Sequence, residues 1–162
     1  MVQEIIRIHW PFIMICLPAG FVLIAIAIID IKTKEIPDSL NIALFFIGIS
    51  AIWLLPDITP AERIIGFFAV SFPLLLFAIF LNGSFGGGDV KLMAAAGFLL
   101  GWQSALVAFI ISAITSSLYG ITALALRKKS LKDHFAFGPF LAFGIMVALL
   151  TGNLFYYYAI TP

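Results

Sequence analysis

Charge is scarce in this chain: nine Lys and Arg and eight Asp and Glu among 162 residues amount to 10%, against roughly 25% in soluble domains. That leaves too little polar surface to cover a water-soluble globule, which excludes a cytosolic enzyme, a nucleic-acid binder and a disordered tail. Cysteine is nearly absent. Cys16 stands alone inside an apolar run, so neither a disulfide framework nor a cysteine-based zinc site can be built within the chain. The two histidines, His9 and His134, are too distant in sequence and topology to make a metal site, and no cofactor is expected. What is abundant is apolar: 63% of the residues are hydrophobic and the mean hydropathy is +1.17. The expected fold is an all-α integral membrane protein, one membrane-embedded domain over residues 1–162, with the lipid bilayer as its solvent.

The few charges divide the chain. Residues 8–29 carry none apart from His9, and about 20 apolar residues cross a bilayer, so they form the first span. The run is too long for a signal peptide and a second span follows at once, so it is expected to be retained. Span two starts after Pro37-Asp38, with Asp38 or Ser39 as N-cap, and runs to Pro56. Span three covers 64–81 and contains Pro73. Residues 92–126 hold no formal charge, and at 1.5 Å per residue they would make a helix of about 52 Å, too long for one crossing. A break at Gly101-Trp102-Gln103 gives a short fourth helix over 89–100 and a fifth over 104–126. Residues 135–160 supply the sixth, with Tyr156, Tyr157 and Tyr158 suited to an interface.

Six spans put Lys32, Lys34, Lys91, Arg127, Lys128, Lys129 and Lys132 on one side and Arg7 and Arg63 on the other. Basic residues favour the cytoplasm, so the loops after spans one, three and five are expected there and both termini outside.

Most of the eight acidic residues have solvated addresses, and Asp38 reads as a helix cap, with a catalytic role as the other reading. Asp30 instead closes an unbroken apolar helix, where an ionised carboxylate is costly unless it faces protein or a water-filled cavity; the other reading is an interfacial end-cap. Asp89 opens a helix too short to span the bilayer, so it should lie below the cytoplasmic surface; the other reading is an N-capping Asp on a flexible cytoplasmic hairpin. Gly86, Gly87 and Gly88 before it allow unusual backbone and the close approach of another chain. Both aspartates fall on the cytoplasmic side, at helix ends. Two carboxylates facing one water form an aspartic dyad: they cannot both ionise cheaply, so one accepts a proton while the other gives one. Lys91 is either a cytoplasmic anchor or a charge that acts on that dyad.

The stretch from Asp30 to Asp38, which contains Ile36-Pro37-Asp38, and the stretch Gly86-Gly87-Gly88-Asp89-Val90-Lys91 together resemble the type IV prepilin peptidase family of membrane aspartic proteases. A third similar stretch, Phe137 to Ala142, opens the sixth span. The resemblance covers nearly the whole chain and implies that Asp30 and Asp89 are catalytic. It also implies that Gly86, Gly87, Gly88, Lys91, Pro37 and Asp38 face the substrate, a prepilin-like precursor with a basic leader and an apolar helix. Larger members carry an additional N-terminal region with paired Cys-x-x-Cys motifs and methylate their product. This sequence is similar instead to the short branch that serves tight-adherence pili and archaeal preflagellins, so methyl transfer is expected to be absent. The competing classes are a small proton-coupled transporter, since intramembrane carboxylates also mark ion pathways, and a non-catalytic pilus assembly scaffold.

Overall fold

The computed structural model describes the backbone of residues 2–80, 86–126 and 136–160, and side chains over 10–80, 86–126 and 136–151. Every regular element among these residues is a helix: α1 (Val2–Thr33), α2 (Asp38–Leu54), α3 (Pro60–Ala69), α4 (Ser71–Phe80), α5 (Gly87–Leu100), α6 (Trp102–Ala125) and α7 (Gly138–Ile160). Within them, Trp10–Thr33, Pro60–Phe80 and Trp102–Ala125 are long and apolar enough to cross a membrane, whereas Asp38–Leu54 and Gly138–Thr151 are shorter apolar stretches. Large apolar side chains such as Phe21, Phe46, Trp53, Phe80 and Ile121 stand exposed on the outside. An exterior of this kind needs an apolar surrounding, and it marks a membrane protein. The basic loop 127–134 and the segment 82–85 lie outside the described residues, as do the side chains of Tyr156, Tyr157 and Tyr158.

The third expected span is two helices. Proline has no N–H, and its ring collides with the carbonyl four residues earlier, which for Pro73 belongs to Ala69. The helix breaks there, at Val70, and Ser71 Oγ donates to the carbonyl of Phe67. The start of α3 is fixed by a capping box: Glu62 N donates to Thr59 Oγ1 (3.3 Å) and Thr59 N to Glu62 Oε2 (2.8 Å). The break expected near Gly101 is present, with Gly101 at φ 76 separating α5 from α6.

At the centre lies α5, which packs on α2, α3, α4, α6 and α7. From Leu92 onward its sequence is apolar all round, the pattern of a buried helix, and its small residues bring neighbours close. The backbones of Gly97 and Gly66 leave no space for a Cβ on either glycine. Four helices form a closed circuit, α1 on α2, α2 on α5, α5 on α7 and α7 on α1. Thus α1 and α5 face each other diagonally, and the aspartates near the end of one and the start of the other are brought to the same end of the bundle.

At the opposite end of α5, Arg63 is fully buried. Its Nη1 donates to Leu99 O (2.8 Å) and Phe98 O (3.3 Å), and its Nη2 to Ala51 O and Leu55 O (both 2.9 Å). The last carbonyls of a helix lack partners and carry partial negative charge. One guanidinium therefore closes the ends of α2 and α5 together. The sequence places Arg63 among the flanking charges, whereas it is a structural group inside the bundle.

Candidate active site

Asp30 is 4% exposed, in the last turns of α1. The helix stops just beyond it because Lys34 turns left-handed at φ 57, its N–H donating to Asp30 O at 2.8 Å. Thr33 Oγ1 also donates, to Ile29 O at 3.0 Å. The chain then runs extended into Pro37 and directly into α2. On this short connection Ile36 is buried and lies against Gly88: a Cβ on Gly88 would come within 2.9 Å of Ile36 Cβ. The glycine before Asp89 is thus where the two motifs touch.

Asp89 occupies the first turn of α5 and is 9% exposed. Its Oδ2 accepts from Gly86 N at 3.2 Å, so the carboxylate caps the helix to which it belongs. Asp30 Oδ2 is held in a similar manner from elsewhere, accepting from Gly138 N, at the start of α7, at 2.9 Å. Each carboxylate therefore has one oxygen fixed by a backbone donor at a helix N-terminus. They are close enough for the charge of Asp30 to act on Asp89. Two buried acids at the same end of the bundle, one feeling the other's charge, have the chemistry of a paired acid and base. Among the described residues no group of three or more His, Cys, Asp or Glu side chains is arranged to hold a metal ion.

Other residues singled out in the sequence fall into place differently. Asp38 is not a cap: Pro37 is the N-cap of α2, no side chain caps it, and the Asp38 carboxylate turns away. Proline at that point supplies the extended backbone before a helix, which frees Asp38 for Lys91, whose Nζ meets both its oxygens at 2.8 Å. This exposed ion pair ties α2 to α5. It also holds Lys91 on the side of α5 away from Asp89, since two residues along a helix is about 200° around it. Gly86 and Gly87 are exposed, and a Cβ on Gly87 would touch nothing within 4 Å.

Gly138 was not singled out individually. The signal for it is the pair Gly138-Pro139 at a helix start, where proline lacks an N–H and glycine leaves its own open to a close partner. Asn41 was also passed over, because one polar residue in an apolar helix gives no pattern.

Both motifs lie inside the region, residues 17–121, that matches the Type IV leader peptidase family. The chain belongs to that family. It is similar to proteins named prepilin leader peptidase/N-methyltransferase: 31% identical over 140 residues to that of Aeromonas salmonicida (strain A449), covering 82% of this chain and 47% of the relative. The protein of that name from Legionella pneumophila is 30% identical over 153 residues, covering 90% and 53%. That from Bacillus subtilis (strain 168) is 33% identical over 135 residues, covering 81% and 53%. The chain thus spans about half the length of the curated relatives it matches. No solved structure matches it.

Proposed function

We propose that this chain is an intramembrane aspartic endopeptidase that removes the leader from type IV prepilin-like or preflagellin-like precursors, with Asp30 and Asp89 as its catalytic pair. The observation that carries the reading is two buried carboxylates on different helices, brought to one end of the bundle and each pinned by a backbone N–H. One carboxylate takes a proton from water as its oxygen attacks the scissile carbonyl. The other protonates that carbonyl oxygen, and proton return to the amide nitrogen releases the new amine. Family membership supports a peptidase and a prepilin-like substrate.

In this reading α1, α2, the α3–α4 pair, α5, α6 and α7 are six spans in the cytoplasmic membrane, with the aspartates at its cytoplasmic face. The positions of the basic residues in the sequence support that orientation. Cleavage needs an extended backbone at the scissile bond. Exposed Gly86 and Gly87 leave space for that strand beside Asp89, while Pro37 and the Asp38–Lys91 pair border it. The proposal concerns hydrolysis alone. The N-methyltransferase in the relatives' names is said of them alone.

The test is precursor processing in membranes that co-express a prepilin. Asp30→Asn and Asp89→Asn each keep the size of the side chain and remove its acid–base function, so each is expected to lower processing by about 10²-fold or more at unchanged protein level. Full activity in either variant refutes the pair. A transporter or a scaffold would leave the precursor uncut by the wild-type chain.

A further inference from the structure

On the face of α5 opposite Asp89, a groove of about 340 Å³ opens between α2, α3 and α5. It exists because α2 and α3 both pack on α5 without packing broadly on each other. Phe45 and Phe67 wall it, while Ala94 and Ala95 leave it room. Asn41 also lines it, 5% exposed, and neither Nδ2 nor Oδ1 has a hydrogen-bond partner. A buried amide without partners is costly, and in a groove the missing partner can be a ligand. At the mouth, one helical turn before Asn41, is the Asp38–Lys91 ion pair.

The ligand's chemistry follows from these groups. A carboxamide offers donors and an acceptor side by side, which complements a peptide group whose N–H and C=O are both free. Such a group belongs to extended chain, because inside a helix both are already used. A lipid acyl chain has neither, and its ester has acceptors only. Apolar walls and a self-neutralised ion pair suit an uncharged segment and not a basic leader. The start of α5 lies between the groove and the aspartates, at exposed Gly86 and Gly87, and a Cβ on Gly87 would meet nothing within 4 Å. Crossing a helix about 10 Å wide takes three or four extended residues at about 3.3 Å each.

Resting on the peptidase reading above, we propose that this groove is a substrate exosite: it holds the apolar segment of the precursor about four residues to the membrane side of the scissile bond, and Asn41 pairs with one peptide group of that segment. The exosite contributes affinity and register, and the bond is cut elsewhere.

The experiment compares two substrates of the purified full chain: a whole precursor, and a short peptide ending two residues past the cleavage point. For Asn41→Leu, close to isosteric, and for the smaller Asn41→Ala, KM for the precursor is expected to rise about tenfold, equivalent to about 1.4 kcal/mol. The kcat should stay within about twofold, and kcat/KM for the short peptide should not change. Unchanged KM in both variants overturns the exosite, as does an equal loss on both substrates, which would indicate a general structural effect. A photoreactive side chain placed at Phe45 should capture the precursor; capture of phospholipid alone would make this a lipid site and overturn the proposal. Failure of the wild-type chain to cut either substrate is a separate result, which refutes the peptidase reading and this one with it.

Discussion

Replacing Gly138 by alanine should impair cleavage although position 138 is 108 residues from Asp30 in the chain. A Cβ at Gly138 would stand 2.7 Å from Asp30 Oδ2 and 2.9 Å from its Cγ, whereas even close C···O contacts keep about 3.3 Å. Something must shift by roughly half an ångström. If Asp30 rotates, an off-rotamer side chain costs about 0.5–1.5 kcal/mol. If the start of α7 retreats, the N–H bond to the carboxylate goes, and hydrogen bonds to charged groups are worth about 1.5–3 kcal/mol. Rotation also takes Oδ2 off that N–H, so the loss is about 1.5–4 kcal/mol by one route or the other, and felt in the transition state it lowers kcat/KM about 10- to 900-fold. The assay is precursor processing by purified protein, with thermal unfolding followed in parallel. Gly120→Ala is the control, because a Cβ at Gly120 meets nothing within 4 Å. Processing by Gly138→Ala within threefold of wild type would refute the claim that Gly138 positions Asp30.

Two further substitutions test the scaffold. Arg63→Lys keeps the charge but not the fork that reaches carbonyls on both α2 and α5, so it should destabilise the folded protein by about 2–3 kcal/mol, read as a lower unfolding midpoint in detergent; an unchanged midpoint would show that the clamp contributes nothing. Gly97→Ala drives a methyl into the carbonyl of Gly66 and should cost about 1–3 kcal/mol in the same measurement, while equal stability would mean that α3 and α5 separate freely.

The sequence made the helical segments legible because charges and glycines interrupt its apolar runs. The break at Gly101 was accessible from length alone, since 92–126 is too long for one crossing. The break at Val70 was not foreseen: a proline in an apolar run is tolerated in many membrane helices, and whether it bends or breaks one depends on neighbours. Asp30 and Asp89 were conspicuous as acids where acids are expensive. Their surroundings were hidden, because the partners that hold them are backbone N–H groups, which every non-proline residue carries. Asp38 was misread as a cap for a related reason. A carboxylate before a helix suits either its own backbone or a distant cation, and Lys91 is 53 residues away.

The charges along α5 have a common logic. An aligned helix carries partial positive charge at its first N–H groups and partial negative charge at its last carbonyls. The acid Asp89 sits at the first end, bonded to Gly86 N, and the base Arg63 reaches the other, at Phe98 O and Leu99 O. Each buried group is thereby met by the end of α5 that suits its sign, so Asp89 and Arg63 need not approach each other. The same arrangement bears on orientation. On the orientation proposed above, with Arg63 spent inside the bundle, Arg7 alone opposes the seven basic residues of the proposed cytoplasmic side. The charge bias that supports a cytoplasmic site is therefore steeper than a count along the sequence indicates.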